Sequence, residues 1–566
     1  MIVFVIHLCH TLTIDHTQET ERMFIVSALL WIYLAILIAL IILAIVAQMT
    51  IKAIETLHLK NAIQTLWNRK APLESFIRPN HLYDHLFLKH LKQDSHQENQ
   101  YIDDKTWSDL DLDELFQQLN FNFSAIGEMR LFATLRGMYA IEDEQLIETF
   151  KKHRSFREFV SLKLAQIGKS VYPKYPDEIQ TIPRQTLHML SPIFPFIGLI
   201  VIPFSVPLGG FIAIAALIYN VFLSSKLKKS FEDELNSMYY TSNVLKRARA
   251  ISLHDEAPQL DVNFGHFKTA RYLSGIVGSA NGADEAAMLS NVIKSMFNLD
   301  YVLFHLIQQS FKEHEDEVLA CYDYIGMMDN HYSIALWRET LDTQVKPGTT
   351  DQPTIDFDGI IHPLLPDAVP NDLNIQQHIL LTGSNASGKS TFMKAVAINL
   401  ILAQYTNTAL AERFVYKPGH IYTSMANQDD VMSGDSYFMA EIKSVRRLFN
   451  LPSDHFNYCF IDEIFKGTNT TERVAASDSV LAYLAAQDNY RILAATHDIE
   501  LAEWLQQQYA NYHFNEDIQD DEIHFDYKIK KGKANTRNAI ELLRITDFPE
   551  RVYSDAKANT KKLEKS

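Results

Sequence analysis

Apolar and polar positions divide the chain into contrasting zones. Residues 24–47 run for 24 residues without a charge. About 20 apolar residues cross a bilayer as a helix, so this run predicts a transmembrane helix. It is longer than the apolar part of a signal peptide and shows no small-residue cleavage site, which predicts that it is retained. Residues 190–224 form a second uncharged run, 35 residues long, interrupted by Pro203, Pro207, Gly209 and Gly210. That interruption predicts a turn between two short apolar helices, a hairpin. Between the runs, stretches such as Leu110–Phe116 and Gly127–Arg136 place apolar residues at helical spacing. Core packing accounts for these stripes. Residues 231–340 read as long helices, for example 286–311 and 313–328. From Lys346-Pro347-Gly348 the pattern turns loop-rich and strand-like.

Charge orients the two apolar runs. Lys52, Lys60, Arg69 and Lys70 follow the first; Lys169, Lys174 and Arg184 precede the second, and Lys226, Lys228 and Lys229 follow it. The positive-inside rule puts all these flanks in the cytoplasm. One crossing plus a hairpin satisfies that arrangement, and leaves residues 1–23 as a short extracytoplasmic segment. Met23 directly precedes the first run, so translation from Met1 or from Met23 is open. Three short spans without an intramembrane charge argue against a transporter.

The chain has 566 residues, too many for one core. Cys9, Cys321 and Cys459 are scattered, with no metal-ligand or disulfide spacing. Net charge is −17, so the overall field does not steer the chain to nucleic acid. The basic run Lys528, Lys530, Lys531, Lys533 and Arg537 reads as a solvated face, with phosphate binding as the competing reading.

Candidate chemistry is concentrated near the C-terminal end. Gly383-Ser384-Asn385-Ala386-Ser387-Gly388-Lys389-Ser390-Thr391 fits G-x-x-x-x-G-K-[ST], between a predicted strand at 378–381 and a helix at 392–403. Backbone N–H groups of such a loop wrap phosphate oxygens at a helix N-terminus. Lys389 would reach the β and γ phosphates of ATP, and Ser390 would hold Mg²⁺. Tyr458-Cys459-Phe460-Ile461-Asp462-Glu463 is an apolar strand ending in two carboxylates. Asp462 would bind the Mg²⁺ water shell, and Glu463 would act as general base on the attacking water. Arg491–Thr496 reads as another strand with His497 at its end, where parallel sheets carry ligands; His497 would contact the γ phosphate or the water. Ser436, in Ser433-Gly434-Asp435-Ser436, and Gly467–Thr470 each precede a helix, where capping and phosphate contact are both open. A non-hydrolytic scaffold is the weakest reading, since every expected catalytic residue type is present.

GSNASGKST, GDSYFMAEI, FIDEIFKGTNTTER and ATHD, in this order and spacing, resemble the ATPase domain of the MutS family of DNA mismatch-repair proteins. His362-Pro363-Leu364-Leu365 and Pro370-Asn371-Asp372 resemble the segment leading into that family's P-loop, and Gly326–Asp329 the end of its lever helices. The likeness covers about residues 110–560 and is strongest at 360–500. It implies an α/β, ABC-type P-loop ATPase domain at 341–566, ending in dimerisation helices. Lever helices at 225–340 and a helical region with the start of a core domain at 48–189 would precede it, around the hairpin at 190–224 and after the transmembrane helix at 24–47. It implies a homodimer in which Ser436 reaches the γ phosphate bound to the other subunit, and it matches His513 to a position near the adenine. It also implies DNA, including mismatched DNA, as a ligand. Mismatch-reading members carry an N-terminal domain with a Phe-x-Glu wedge; the 62 residues from 48 to 109 are too few for it and contain no such wedge. The expectation is a MutS-like ATPase anchored in a bacterial inner membrane with its ATPase domain in the cytoplasm. The alternative is a non-repair membrane ATPase acting on a protein partner.

Overall fold

The computed structural model describes residues 53–68, 102–141, 143–169, 179–202, 204–277, 285–384, 387–425, 437–466, 468–519, 522–534 and 548–563, with scattered positions between 39 and 70 and at 543–544. Residues 24–38 of the first predicted span, Asn385, Ala386, Ser436 and Gly467 lie outside the described residues. The chain separates into two compact units: residues 1–71, 122–128 and 149–332, and residues 72–121, 129–148 and 333–566.

The first unit is helical. Its apolar hairpin pairs α1 (Phe194–Val201) with the start of α2 (Val206–Ser252). The expected turn lies at 202–205, where Phe204 and Ser205 N–H groups both donate to Val201 O at 3.0 Å. The second arm runs past Ser224 and kinks at Phe231, a non-helical residue (φ −140°, ψ 38°) that joins two helices into the stretch ending at Ser252. No Gly or Pro marks that kink. The two arms touch backbone to backbone. A methyl group on Gly198 would lie 2.4 Å from Ala213 N, and one on Gly209 2.5 Å from Ile202 N. Only glycine permits that approach, as in membrane helix pairs. The outer faces are bare: Ile200, Phe204, Phe211, Ile214, Ile218 and Phe222 are all exposed, Phe204 at 88%. Asn220 ties the base of the hairpin, donating to Ser191 O (3.1 Å) and Met296 O (3.0 Å).

Below the hairpin the pattern inverts and apolar residues turn inward. Val244, Leu245 and Ile251 of α2 are buried, as are Phe304 and Ile307 of α3 (Leu299–Glu313) and Ile325 of α4 (Glu315–Arg338). The single helix expected over 286–311 is broken, because Asn298 takes left-handed geometry (φ 46°) between Glu285–Met296 and α3. Asp329 is fully enclosed and accepts from Phe123 N (3.0 Å), Ser124 N (2.8 Å) and Ser124 Oγ (2.6 Å). Burial pushes its carboxyl up to about 6, against those three donors.

The second unit holds two sheets. β1 (Gly348–Thr349), β2 (Ile355–Ile360), β3 (Asn371–Ile375) and β5 (Arg413–Tyr416) form one, in the order β1-β5-β2-β3. The other is six-stranded, β10-β9-β4-β8-β7-β6, with β4 (His378–Thr382), β6 (His420–Ser424), β7 (Asn457–Asp462), β8 (Tyr490–Thr496), β9 (Tyr509–Gln519) and β10 (Glu522–Lys531). All neighbours are parallel except β9 and β10. β7 and β8 are buried along their whole length, which explains their continuous apolar runs. The helix α5 (Lys389–Thr406) follows β4 directly. Its far end is gripped by Arg338, the last residue of α4. Arg338 makes two 2.8 Å bonds to the Glu144 carboxylate, and also donates to Thr408 Oγ1 and Thr406 O at 2.8 Å.

Candidate functional site

Three adjacent parallel strands deliver their last residues to one edge of the six-stranded sheet. β4 runs into the glycine-rich loop, β7 ends at Asp462, and β8 ends one residue before His497. That edge is where open α/β sheets bind ligands. Gly388 takes φ 101° immediately before α5, a conformation that disfavours any side chain. Buried Lys389 folds back over the loop, its Nζ donating to Gly383 O (2.8 Å) and Ser384 O (2.7 Å). Ser387 Oγ donates to Ser384 O at 2.8 Å and closes the loop from inside.

Ser390 and Asp462 meet although 72 residues apart, Ser390 Oγ donating to Asp462 Oδ2 at 2.5 Å. The other carboxylate oxygen, Oδ1, is buried without a hydrogen-bond partner. A hydroxyl and a carboxylate with an unsatisfied oxygen beside the phosphate loop are the hard oxygen donors that Mg²⁺ takes, so these residues fit that ion.

Glu463 leaves β7 through a left-handed residue (φ 53°), and Phe465 repeats the strain (φ 63°). The Glu463 N–H donates to Ala495 O (2.9 Å), which fixes the turn to β8. Its carboxylate meets the Lys466 ammonium on one side and His497 Nε2 on the other. His497 Nδ1 lies 2.8 Å from Gly383 O. Burial first, then the nearby Lys389 ammonium, push this imidazole below its ordinary range. Gly383 O can only accept, so Nδ1 carries a proton toward it, and Nε2 faces the Glu463 carboxylate. Asp498 takes a two-pronged contact from Arg473 (2.9 and 2.6 Å), which anchors the residue after His497 to α6 (Thr470–Ala485). Asn469 caps α6, its side chain accepting from Glu472 N.

A cavity of about 380 Å³ opens beside the loop. Its walls include Lys389, Ser390, His362, Leu365, Phe514 and Tyr527. Burial first, and Lys394 after it, pull His362 down to about 4, so it is neutral at physiological pH. Tyr527 sits at a register shift in β10 with φ 49°. Asn371 props that bulge open, donating to Tyr527 O (3.0 Å) and accepting from Ile529 N (2.8 Å). The Tyr527 ring would lie 3.1 Å from a Cβ on Gly388, so the missing side chain there also admits the aromatic.

The structure thus brings together Gly383, Ser384, Ser387, Gly388, Lys389, Ser390, Asp462, Glu463 and His497; Thr391 also lines the cavity. Ser436 lies outside the described residues. His513 does not line the cavity: its Nδ1 lies 3.0 Å from Gly532 O, while its neighbour Phe514 faces the cavity. Successive strand residues point to opposite faces, so a one-residue difference decides this. Phe514 and Tyr527 are missed by sequence reading, because an aromatic on a strand carries no signal of which ligand it faces. Three lysines of the basic run are engaged: Lys528 with Pro370 O, Lys530 with Asp526 (2.5 Å), and Lys533 with Glu503.

A glycine loop after a central parallel strand, with a hydroxyl–carboxylate pair and a glutamate at the same edge, defines a P-loop nucleotide-binding domain. Residues 379–564 match the family model MutS domain V. The DNA mismatch repair protein MutS of Fusobacterium nucleatum subsp. nucleatum is 29% identical over 281 residues, 47% of this chain and 31% of that protein. That of Staphylococcus carnosus is 30% identical over 272 residues, 46% of this chain and 31% of that protein. That of Halothermothrix orenii is 28% identical over 302 residues, 50% and 33% respectively. The similarity to these proteins extends over about half of the chain, and the chain spans about a third of the length of the curated relatives it matches.

Proposed function

We propose that this chain is a membrane-anchored, MutS-like ATPase that hydrolyses ATP to ADP and phosphate with Mg²⁺ as cofactor. The observation that carries the reading is the convergence of Lys389, Ser390, Asp462, Glu463 and His497 at the ends of β4, β7 and β8. The loop N–H groups and Lys389 bind the phosphates. Ser390 and Asp462 would hold Mg²⁺, which when bound neutralises charge on the phosphate oxygens. Glu463 orients and deprotonates the attacking water, and His497 holds the Glu463 carboxylate against Gly383. The cavity wall of Phe514 and Tyr527 supplies aromatic faces for the base. The active form is a homodimer, with Ser436 completing the site of the other subunit, and the cycle is coupled to movement of α2 and α4.

The membrane assignment is supported by the hairpin, whose exposed face is apolar and whose two arms meet through glycine. Among the described residues, Val206–Ser252 is long and apolar enough to cross a bilayer. The expected location is a bacterial inner membrane, with the nucleotide site on the cytoplasmic side. DNA, including mismatched DNA, is the ligand class suggested by the names of the relatives. The exposed hairpin favours a second reading, an ATPase acting on a protein partner at the membrane.

The test is ATP turnover by the purified chain alone and with homoduplex, mismatched or single-stranded DNA. A mismatch-dependent change of rate supports the repair reading. Equal rates in all four conditions leave the protein-partner reading. Absence of turnover throughout, with Mg²⁺ present, overturns the ATPase assignment. Mixing Lys389→Ala with Ser436→Ala subunits probes the composite site, since only hybrids can rebuild one intact copy.

A further inference from the structure

We infer that His266, His314 and Glu317 form a binding site for a single transition-metal ion of the zinc class. The three side chains come from different pieces of the first unit. His266 lies on the segment between α2 and the helix Lys268–Val277, His314 joins α3 to α4, and Glu317 is in the first turn of α4. Their ligand atoms all lie within 4.8 Å of one another. His266 Nδ1 is 3.0 Å from Glu317 Oε2. The two imidazole rings lie parallel, with centroids 3.7 Å apart.

Donor chemistry selects the ion. Two imidazole nitrogens and one carboxylate oxygen suit Zn²⁺ and its neighbours, whereas Mg²⁺ and Ca²⁺ take oxygen sets. Tetrahedral ligands about 2.0–2.2 Å from a zinc ion stand roughly 3.4 Å from one another. The cluster is therefore about one side-chain rotation from closure. The rings must fan apart from their parallel stack, so that their lone pairs converge.

The surroundings hold the ligands in place. Ser310 Oγ donates to His266 O at 2.7 Å and anchors the backbone there. The Asn263 side-chain amide lies 3.0 Å from His266 Nε2, so the ring is oriented from its far side, leaving Nδ1 toward Glu317. Buried Phe267 and Phe311 form an apolar floor, with the Phe267 ring 6.0 Å from His314. His266 is exposed and the other two are half-buried, which gives an ion a path in and leaves a coordination position for water. An ion here would staple the segment after α2 to the α3–α4 junction. This inference does not rest on the nucleotide site.

The test is a Zn²⁺ titration of the chelator-stripped full chain against a competing indicator, in excess Mg²⁺. Wild type should bind about one Zn²⁺ per chain that is weakened at least tenfold in both His314→Ala and Glu317→Gln. Co²⁺ in place of Zn²⁺ should give the intense visible absorption of a tetrahedral ion in wild type and not in the variants. Glu317→Gln, which keeps the side-chain volume, decides the case if His314→Ala does not fold. Equal Zn²⁺ affinity in wild type and Glu317→Gln, or no Zn²⁺ bound by wild type, overturns the assignment.

Discussion

The edge of the six-stranded sheet and the apolar hairpin treat their side chains in opposite ways. At the sheet edge, charged groups are gathered from β4, β7 and β8 and nearly every one has a partner: Lys389 with two carbonyls, Ser390 with Asp462, Glu463 with Lys466 and His497. At the hairpin, 35 residues carry no charge and the large apolar side chains face outward. At its base Asn220 bonds two carbonyls. One region concentrates chemistry and the other concentrates exposed apolar surface. An exposed apolar face on this scale is a candidate contact surface, whereas a dense set of perturbed and paired charges in a cleft is a candidate functional site.

The comparison is broken most directly at Glu463. Glu463→Gln keeps the side-chain volume and removes the base, so turnover should fall about 10²–10⁴-fold while labelled nucleotide still binds. Turnover at the wild-type rate would reassign the base. Next comes Arg338→Ala, which removes the guanidinium from Glu144 and leaves it the Asn407 amide near the end of α5. A broken buried pair costs about 3–5 kcal/mol, and the partial exposure of Glu144 puts the loss near the lower end. Chemical denaturation reads it, and a loss under 1 kcal/mol would make the Arg338 contact incidental.

Phe211→Arg probes the other region. In a bilayer it should cost roughly 2.5–3.5 kcal/mol, but in water only about 0.5 kcal/mol. Thermal unfolding in vesicles discriminates, and an effect confined to the smaller figure removes the hairpin from the membrane. A fluorophore on Phe204→Cys should be quenched by nitroxide-bearing lipids in the same preparation.

Asp329 tests whether the first unit spends stability on a buried carboxylate. Its folded value is raised, so its contribution is fully present below the unfolded value of about 4 and is lost as pH rises through about 6. Wild type should lose on the order of 2 kcal/mol across that window relative to Asp329→Asn. Parallel pH profiles of the two would place the ionised form in an environment as favourable as water. The smallest effect is expected at Tyr527→Ala. It removes one aromatic wall of the cavity, which should weaken nucleotide binding by about 1–3 kcal/mol and raise KM with little change in kcat. An unchanged KM would remove Tyr527 from the base-binding wall.

Legibility in the sequence followed the range of the interactions. The glycine loop, the apolar strand ending in Asp462 and Glu463, and the strand ending before His497 are each contiguous, so local pattern exposes them. Their spatial order is also constrained, since parallel strands joined by helices must present the same end. The hairpin turn near Pro203 was legible for the same local reason. The kink of its second arm at Phe231 was not, because no Gly or Pro marks it. Which of His513 and Phe514 lines the cavity was not legible either, since it turns on the alternation of one strand.

Local pattern along the chain is enough to show its candidate chemistry and its uncharged runs, because glycine, charge and hydropathy act on neighbouring residues. Which distant residues share a site is set by folding. Ser390 meets Asp462, Asn371 sets the bulge that turns Tyr527 to the cavity, Arg338 grips the end of α5, and His266 comes to lie on His314. These pairings depend on strand register and helix packing. Both are settled by the whole buried core, since a shift of one residue would turn a strand side chain to the opposite face and rotate a helical one by about 100°.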